Sequence, residues 1–275
     1  MKILILGGTS EAKSLAEQLI NLGAEIIYSI AGLVRQPVLN CKIICGGFSQ
    51  YNNDSHNAKK TDGLTAYLLA EKINCLVDAT HPFATKMSQQ ANRSAQEINI
   101  PCISFIRPEW EKQEGDDWSL LENEDQLLNK LALAVNTGSK NIFYTNGQIG
   151  RKLALELDAI AELNEAFGQA QYIVRSAKET ELPQYSQWIQ AIGPFNIEDE
   201  KSLLEKYEID LIVCKNSGGE ATKAKLEAAR ELNVRVLMLQ RPKIVNDSSN
   251  DMNKVFHTLD ECFEFISEKC SSDFC

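Results

Sequence analysis

The sequence predicts an α/β protein made of two Rossmann-like domains, with mainly parallel sheets and a cleft between them. Three observations carry that expectation. Short apolar runs alternate with amphipathic stretches of helical period along the whole chain; the first run breaks into paired glycines directly before a helix; and a charged segment bearing proline and glycine near the middle divides two such series. A length of 275 residues suffices for one large or two ordinary domains.

The opening stretch, ILILGGTSEA at 3–12, reads as a strand that turns sharply at Gly7 and Gly8, where a Cβ would clash, and enters a helix capped by Thr9 or Ser10. Ala12, Leu15, Ala16, Leu19 and Ile20 share one face of that helix, Glu11, Lys13 and Glu17 take the other, and Gly23 ends it. Further strands follow at Glu25–Ile30, Lys42–Cys45, Leu76–Ala79 and Cys102–Phe105, with helices near 11–22, 62–73 and 84–98. The link from Ala31 to Cys41 is too short and proline-broken for a regular crossover helix. Residues 49–61, asparagine-rich and without periodicity, read as an exposed loop holding His56.

Residues 107–119, RPEWEKQEGDDWS, are the expected boundary, giving domains at 1–108 and 109–275. The second series has strands at Asn141–Thr145, Gln171–Ser176, Asp210–Cys214 and Arg235–Leu239 and helices near 124–135, 148–157, 198–207 and 220–232. Residues 245–254 read as a polar linker, and Leu259, Phe263 and Ile266 mark a helix closing the second domain.

Composition narrows the function. Hydrophobic residues at 44% and charged residues at 24% are those of a globular protein, and a net charge of -10 argues against a general nucleic-acid or anionic-membrane binder while leaving room for a basic pocket. Eight cysteines without a C-x-x-C pair, and His56, His81 and His257 standing apart, read as packed or exposed side chains, with no metal site or disulfide framework. The first apolar run is too short for a signal-peptide core, so the expected compartment is the cytoplasm.

In open parallel sheets ligands collect at the carboxyl ends of the strands. The loops there read GGTSEA, SIAGLVRQP, GGF, DATHPFA, RPEW, TNGQIGRK and KNSGGEATKAK. A helix N-terminus preceded by glycines attracts a pyrophosphate, and the hydroxyls of Thr9 and Ser10 add donors, although Thr9 and Ala12 stand where the G-x-G-x-x-G fingerprint has its later glycines. The end of the second strand offers Ser29, Ala31, Gly32 and Arg35 in place of an acid, which suits the 2′-phosphate of NADPH; alternatively Arg35 is a solvated loop residue. Asp78, Thr80, His81 and Pro82 crowd hydrogen-bonding groups into a turn, where His81 either donates a proton, orients a carbonyl or is satisfied structurally. Lys215, Asn216, Ser217, Gly218 and Gly219 form a second glycine-bearing loop, and Arg107, Arg151, Lys152, Arg175 and Arg241 at neighbouring ends make a basic site for an anion. The chain has no Tyr-x-x-x-Lys pair, G-x-S-x-G elbow or P-loop, which excludes short-chain dehydrogenase, hydrolase and P-loop readings.

Taken together, ILGGTSEA at 5–12, SIAG at 29–32, GGF at 46–48, VDATHPFA at 77–84, RPEW at 107–110, GPF at 193–195, KNSGGEATKAKLEAAREL from 215 and RP at 241–242 resemble the precorrin-6A reductase and cobalt-precorrin-6A reductase family along nearly the whole chain. The resemblance implies an enzyme of corrin-ring biosynthesis that takes hydride from NADPH to the C18=C19 double bond of precorrin-6A or its cobalt form, giving precorrin-6B. It implies a cofactor site at Gly7, Gly8, Thr9, Ser10, Glu11, Ser29, Ala31, Gly32, Arg35, Thr80, His81 and Pro82, and a substrate domain holding a polycarboxylate tetrapyrrole by the basic residues named above. His81 would be the proton donor or orienter. This chain has Leu33 where family members often carry arginine, with Arg35 two positions later. The alternative is a non-catalytic dinucleotide or tetrapyrrole sensor on the same scaffold. Oligomeric state is open, and a monomer is compatible with every motif.

Overall fold

A computed structural model describes residues 1–32, 37–52, 62–163, 169–242 and 252–272. They form two compact units, one comprising Met1–Pro108 with the segment from Lys243 onward, the other Glu109–Pro242.

The first unit carries a six-stranded sheet of β1 (Lys2–Leu6), β2 (Glu25–Ile30), β3 (Lys42–Cys45), β4 (Cys75–Asp78), β5 (Cys102–Phe105) and β12 (Asn253–Phe256). Every pairing is parallel and the order is β3-β2-β1-β4-β5-β12. This is the doubly wound 3-2-1-4-5-6 arrangement, in which strand order reverses between β1 and β4. Helices α1 (Ser10–Asn21) and α8 (Leu259–Ser272) cover one face, where Leu15, Leu19, Cys262 and Ile266 are buried with Ile3, Ile5 and Val77. Helices α2 (Gly63–Ala70) and α3 (Thr85–Glu97) cover the other, packing Leu64, Leu68 and Ala91 on Leu4 and Leu76. Thr9 caps α1, as its spacing predicts, and Gly23 ends it at φ +86°. Among the described residues between β2 and β3 no helix forms.

The second unit carries β6 (Trp118–Leu121), β7 (Asn141–Tyr144), β8 (Gln171–Ser176), β9 (Ser186–Gln190), β10 (Leu211–Lys215) and β11 (Arg235–Leu239). The order is β9-β8-β7-β10-β11-β6, again all parallel, with the reversal between β7 and β10. Its helices are α4 (Glu124–Asn136), α5 (Arg151–Ala161), α6 (Ile197–Lys206) and α7 (Ala224–Glu231). Asn123 and Asn196 cap α4 and α6 through bonds to the N–H groups of Gln126 and Asp199. A 3-10 turn, Glu220–Thr222, replaces the expected start of α7.

Two expectations need correction. The C-terminal segment does not close the second domain: β12 pairs with β5, and α8 buries its apolar face in one cluster with α1, both within the first unit. Residues 107–119 and 245–254 are also not wholly linker, since β6 and β12 each begin within their last two residues. Both sheets therefore repeat the 3-2-1-4-5 order, and the sixth position is filled in one by a strand from the chain's end and in the other by a strand that precedes the series.

Burial pushes the Cys75 and Cys262 thiols up to about 12 and that of Cys214 up to about 11. They act as small apolar side chains. Among the described residues no cluster of histidine, cysteine and carboxylate is placed to hold a metal, and no helix is long and apolar enough to cross a membrane.

Candidate functional site

In each unit the two loops that flank the reversal of strand order are loops already singled out by their sequence. In the first unit they are 7–10 after β1 and 79–84 after β4; in the second they are 145–150 after β7 and 216–222 after β10.

Gly7 and Gly8 are glycines for different reasons. A Cβ on Gly7 would fall inside the ring of Tyr28, which rises from β2 on the same face as Ile5, its register partner. Gly8 holds φ at +111°, with open space where a Cβ would project, so the backbone there can be approached closely. The Gly8 N–H donates to Tyr28 Oη at 3.2 Å, and burial raises the phenol's pKa. Thr9 Oγ1 accepts the Ala12 N–H at 3.1 Å and donates its proton to the Ala79 carbonyl at 3.1 Å, which ties the β1 and β4 loops across the reversal. Its hydroxyl is therefore committed, and the Ser10 hydroxyl likewise donates to Glu11 Oε2 at 3.0 Å, so the expected extra donors for a phosphate reduce to the backbone N–H groups of the turn.

Glu11 meets Arg107, whose Nη1 lies 3.1 and 3.0 Å from its two carboxylate oxygens. Burial raises the Glu11 pKa, but the Arg107 charge and the hydrogen bonds outweigh it, and the net shift is downward from 4.5. A lowered folded-state value means that the pair stabilises the protein fully above about pH 4.5 and progressively less as acid protonates Glu11. Wild type and Glu11→Gln should therefore differ in melting temperature at pH 7 and converge at pH 3; an equal gap at both would show that the pair carries no pH-dependent stability. Arg107 is thus neutralised within its own unit.

After β4, the buried Asp78 accepts from the Thr80 N–H at 3.1 Å and the Thr80 hydroxyl at 2.7 Å, closing the turn. His81 Nδ1 accepts the Phe83 N–H at 3.3 Å. An Nδ1 that accepts carries no proton, so the neutral ring has its hydrogen on Nε2. Ser29 is buried and its carbonyl accepts the Gly7 N–H at 2.8 Å, while Ala31 and Gly32 follow at the strand end. Arg35 and His56 lie outside the described residues.

In the second unit a bond again crosses the reversal, here between the Lys215 ammonium and the Asn146 carbonyl at 2.9 Å. Burial lowers the Lys215 pKa, with Glu124 opposing. Gly218 adopts φ +70°, and Arg151 and Lys152 stand exposed in the first turn of α5. Cations at a helix N-terminus oppose the dipole, and α5 has neither an acidic first turn nor a side-chain cap. Arg151 and Lys152, the latter 3.4 Å from Glu156 Oε1, thus put positive charge at this helix start.

Several of the residues expected to touch ligand are buried, Ser29, Ser217, Arg175 and Asn216 among them. Arg175 lies inside the unit, its Nη1 2.6 Å from Glu200 Oε1 and its guanidinium 3.8 and 4.7 Å from the ring centres of Phe195 and Phe143. Asn216 is 1% exposed and spends its amide on residues 109 and 110. Arg241 donates to the carbonyls of Asn216 and Ser217. The GPF motif serves the same loop: Gly193 has no room for a Cβ against the Ala221 carbonyl, which accepts the Phe195 N–H at 3.0 Å. Sequence reasoning missed Tyr28, Glu200 and the buried Lys225, whose ammonium donates to the Thr222 carbonyl at 2.7 Å. Only the strand register reveals Tyr28, and Glu200 and Lys225 read as solvated helix residues until packing is known.

Two doubly wound units, one with an open glycine turn at a helix start and the other with a lysine-bearing loop, define a Rossmann-like protein. The chain belongs to the family described as precorrin-6x reductase CbiJ/CobK, whose profile matches residues 2–267. It is 36% identical to the precorrin-6A reductase of Rhodococcus erythropolis over 88% of this chain and 90% of that one, and 34% identical to that of a Sinorhizobium species over 94% of each. The cobalt-precorrin-6A reductase of Priestia megaterium is 26% identical over 88% of this chain and 91% of its own. A solved structure of CobK precorrin-6A reductase superimposes with a TM-score of 0.76 at 29% identity, covering 98% of this chain and 96% of that one.

Proposed function

We propose that this chain is an NADPH-dependent reductase acting on the C18=C19 double bond of precorrin-6A in corrin biosynthesis. The observation that carries the reading is that DATHPFA and KNSGG, the motifs most specific to the family, flank the two reversals of strand order, where open α/β sheets take their ligands. The metal-free macrocycle is favoured over its cobalt form by the higher identity to relatives named for it.

The first unit suits a dinucleotide. Gly8 leaves space for a pyrophosphate over the start of α1, and the described end of β2 has no carboxylate to repel a 2′-phosphate. Bound NADPH supplies hydride; the protein supplies placement. His81 serves as an orienter: its Nδ1 accepts the Phe83 N–H at 3.3 Å, which aligns the ring and makes Nε2 the atom that would meet a ligand. In the second unit Lys215, with Arg151 and Lys152, holds peripheral carboxylates of the ring.

Anaerobic mixing of the protein with NADPH and precorrin-6A should oxidise the cofactor and shift the macrocycle spectrum. Binding of both without turnover would instead identify a sensor. Lys215→Ala should weaken tetrapyrrole binding about 10- to 100-fold, the worth of a charge-assisted hydrogen bond, and leave NADPH binding within about twofold; Gly8→Val should do the reverse. His81→Ala should raise KM and keep most of kcat, and a loss of kcat alone would restore His81 as the acid.

A further inference from the structure

Three stretches that carry the resemblance, RPEW, KNSGG and the later RP, meet in one hydrogen-bonded knot centred on Asn216. Its Oδ1 accepts the Trp110 N–H at 2.9 Å, and its Nδ2 donates to Glu109 Oε2 at 3.1 Å and to the Trp110 carbonyl at 3.2 Å. The Asn216 N–H donates to the Leu239 carbonyl at 2.9 Å. The Asn216 carbonyl accepts from Arg241 Nε at 2.9 Å, and the Ser217 carbonyl from Arg241 Nη2 at 3.1 Å. Trp110 is itself held, buried in the core with the Lys225 ammonium 4.8 Å from its ring centre. The loop is thereby fastened to both segments through which the chain enters and leaves this unit.

Asparagine alone suits the place. Its amide offers an acceptor and a pair of donors that match one peptide group and a carboxylate. An aspartate would set a second negative oxygen against Glu109 and the Trp110 carbonyl, and an apolar side chain would leave the buried Trp110 N–H unpaired. At 1% exposure Asn216 is sealed from any ligand, yet it directly follows Lys215, whose carbonyl also accepts the Ser217 N–H at 2.8 Å.

We propose that Asn216 is a positioning residue: by pinning the loop to residues 109–110, with Arg241 securing it from the other side, it fixes where the Lys215 ammonium is presented to the tetrapyrrole. This rests on the reading of Lys215 given under the proposed function. It assigns Asn216 no contact with substrate.

A double-mutant cycle tests it. If Asn216 acts through Lys215, Asn216→Ala should weaken tetrapyrrole binding about tenfold alone and add less than about twofold in a Lys215→Ala background. Multiplying losses, or an unaltered affinity in Asn216→Ala, would overturn the proposal. A second readout needs no substrate. Acylation of Lys215 by an N-hydroxysuccinimide ester, followed by mass spectrometry with the exposed Lys152 as reference, should run at least fivefold faster in Asn216→Ala, while the buried Lys225 stays unlabelled. An unchanged Lys215 rate would sink the proposal even if the protein proved to be a reductase, and a faster one would sustain it even if precorrin-6A were not reduced. Should Asn216→Ala label Lys225 as well, the whole unit has opened. Arg241→Lys then supplies the local test, keeping the charge but losing the two-carbonyl grip, and its Lys215 rate should rise at least twofold.

Discussion

Glu200→Ala should destabilise the second unit by about 3–5 kcal/mol, the cost of leaving buried charge uncompensated. Glu200 is 1% exposed and is the anion facing Arg175, itself wedged between Phe143 and Phe195, with the buried Lys225 close enough to feel both charges. Removing the carboxylate leaves two cations in the core. Such a loss is a large share of the 5–15 kcal/mol that holds an ordinary domain together, so the variant should show an early urea transition or express poorly. Glu156→Ala is the control: its partner Lys152 is 92% exposed, and the change should stay within about 0.5 kcal/mol. If the two variants unfold at the same urea concentration, the Arg175 pair is not buried as described.

The second large effect belongs to the first unit. Gly7→Val should abolish dinucleotide binding and cost about 1–3 kcal/mol or more in stability, because its Cβ and methyls would occupy the Tyr28 ring. The ring carbons Cζ and Cε2, as well as the hydroxyl, stand in the way, so Tyr28→Phe should not rescue even Gly7→Ala, whereas Tyr28→Leu should. Gly8→Ala has free space and meets only the penalty of a positive φ, about 1–2 kcal/mol. Thermal melts and NADPH titrations on these variants separate steric from conformational cost; full rescue of Gly7→Ala by Tyr28→Phe would refute the packing argument.

What could be read in advance follows burial. Central strands such as β1, β4, β7 and β10 are runs of apolar residues bounded by glycine or polar turns, and they fall within a residue or so of their expected places. The three strands that escaped notice, β6, β9 and β12, are all edges of their sheets, with one side solvated; WSLL, SQWIQ and NKVF therefore lack the continuous apolar signature. The loops flanking the two reversals of strand order, where the candidate site is proposed, were legible because glycines and hydroxyls cluster at strand ends. The roles of Arg175 and Asn216 were not, since a basic or amide side chain near a strand end looks alike whether it faces a ligand or a buried partner. Only packing distinguishes them.

The strand that completes the first sheet has a consequence for synthesis. While a nascent chain leaves the ribosome, β5 waits with a bare row of peptide groups until β12 arrives, more than a hundred residues later, and the face of α1 awaits α8. The other unit, whose outer strand β6 is made first, can finish earlier. Premature termination anywhere before Asn253 would accordingly leave a half-clad sheet prone to sticking to its neighbours, so that a strand made after the whole second unit decides whether the first unit stays in solution.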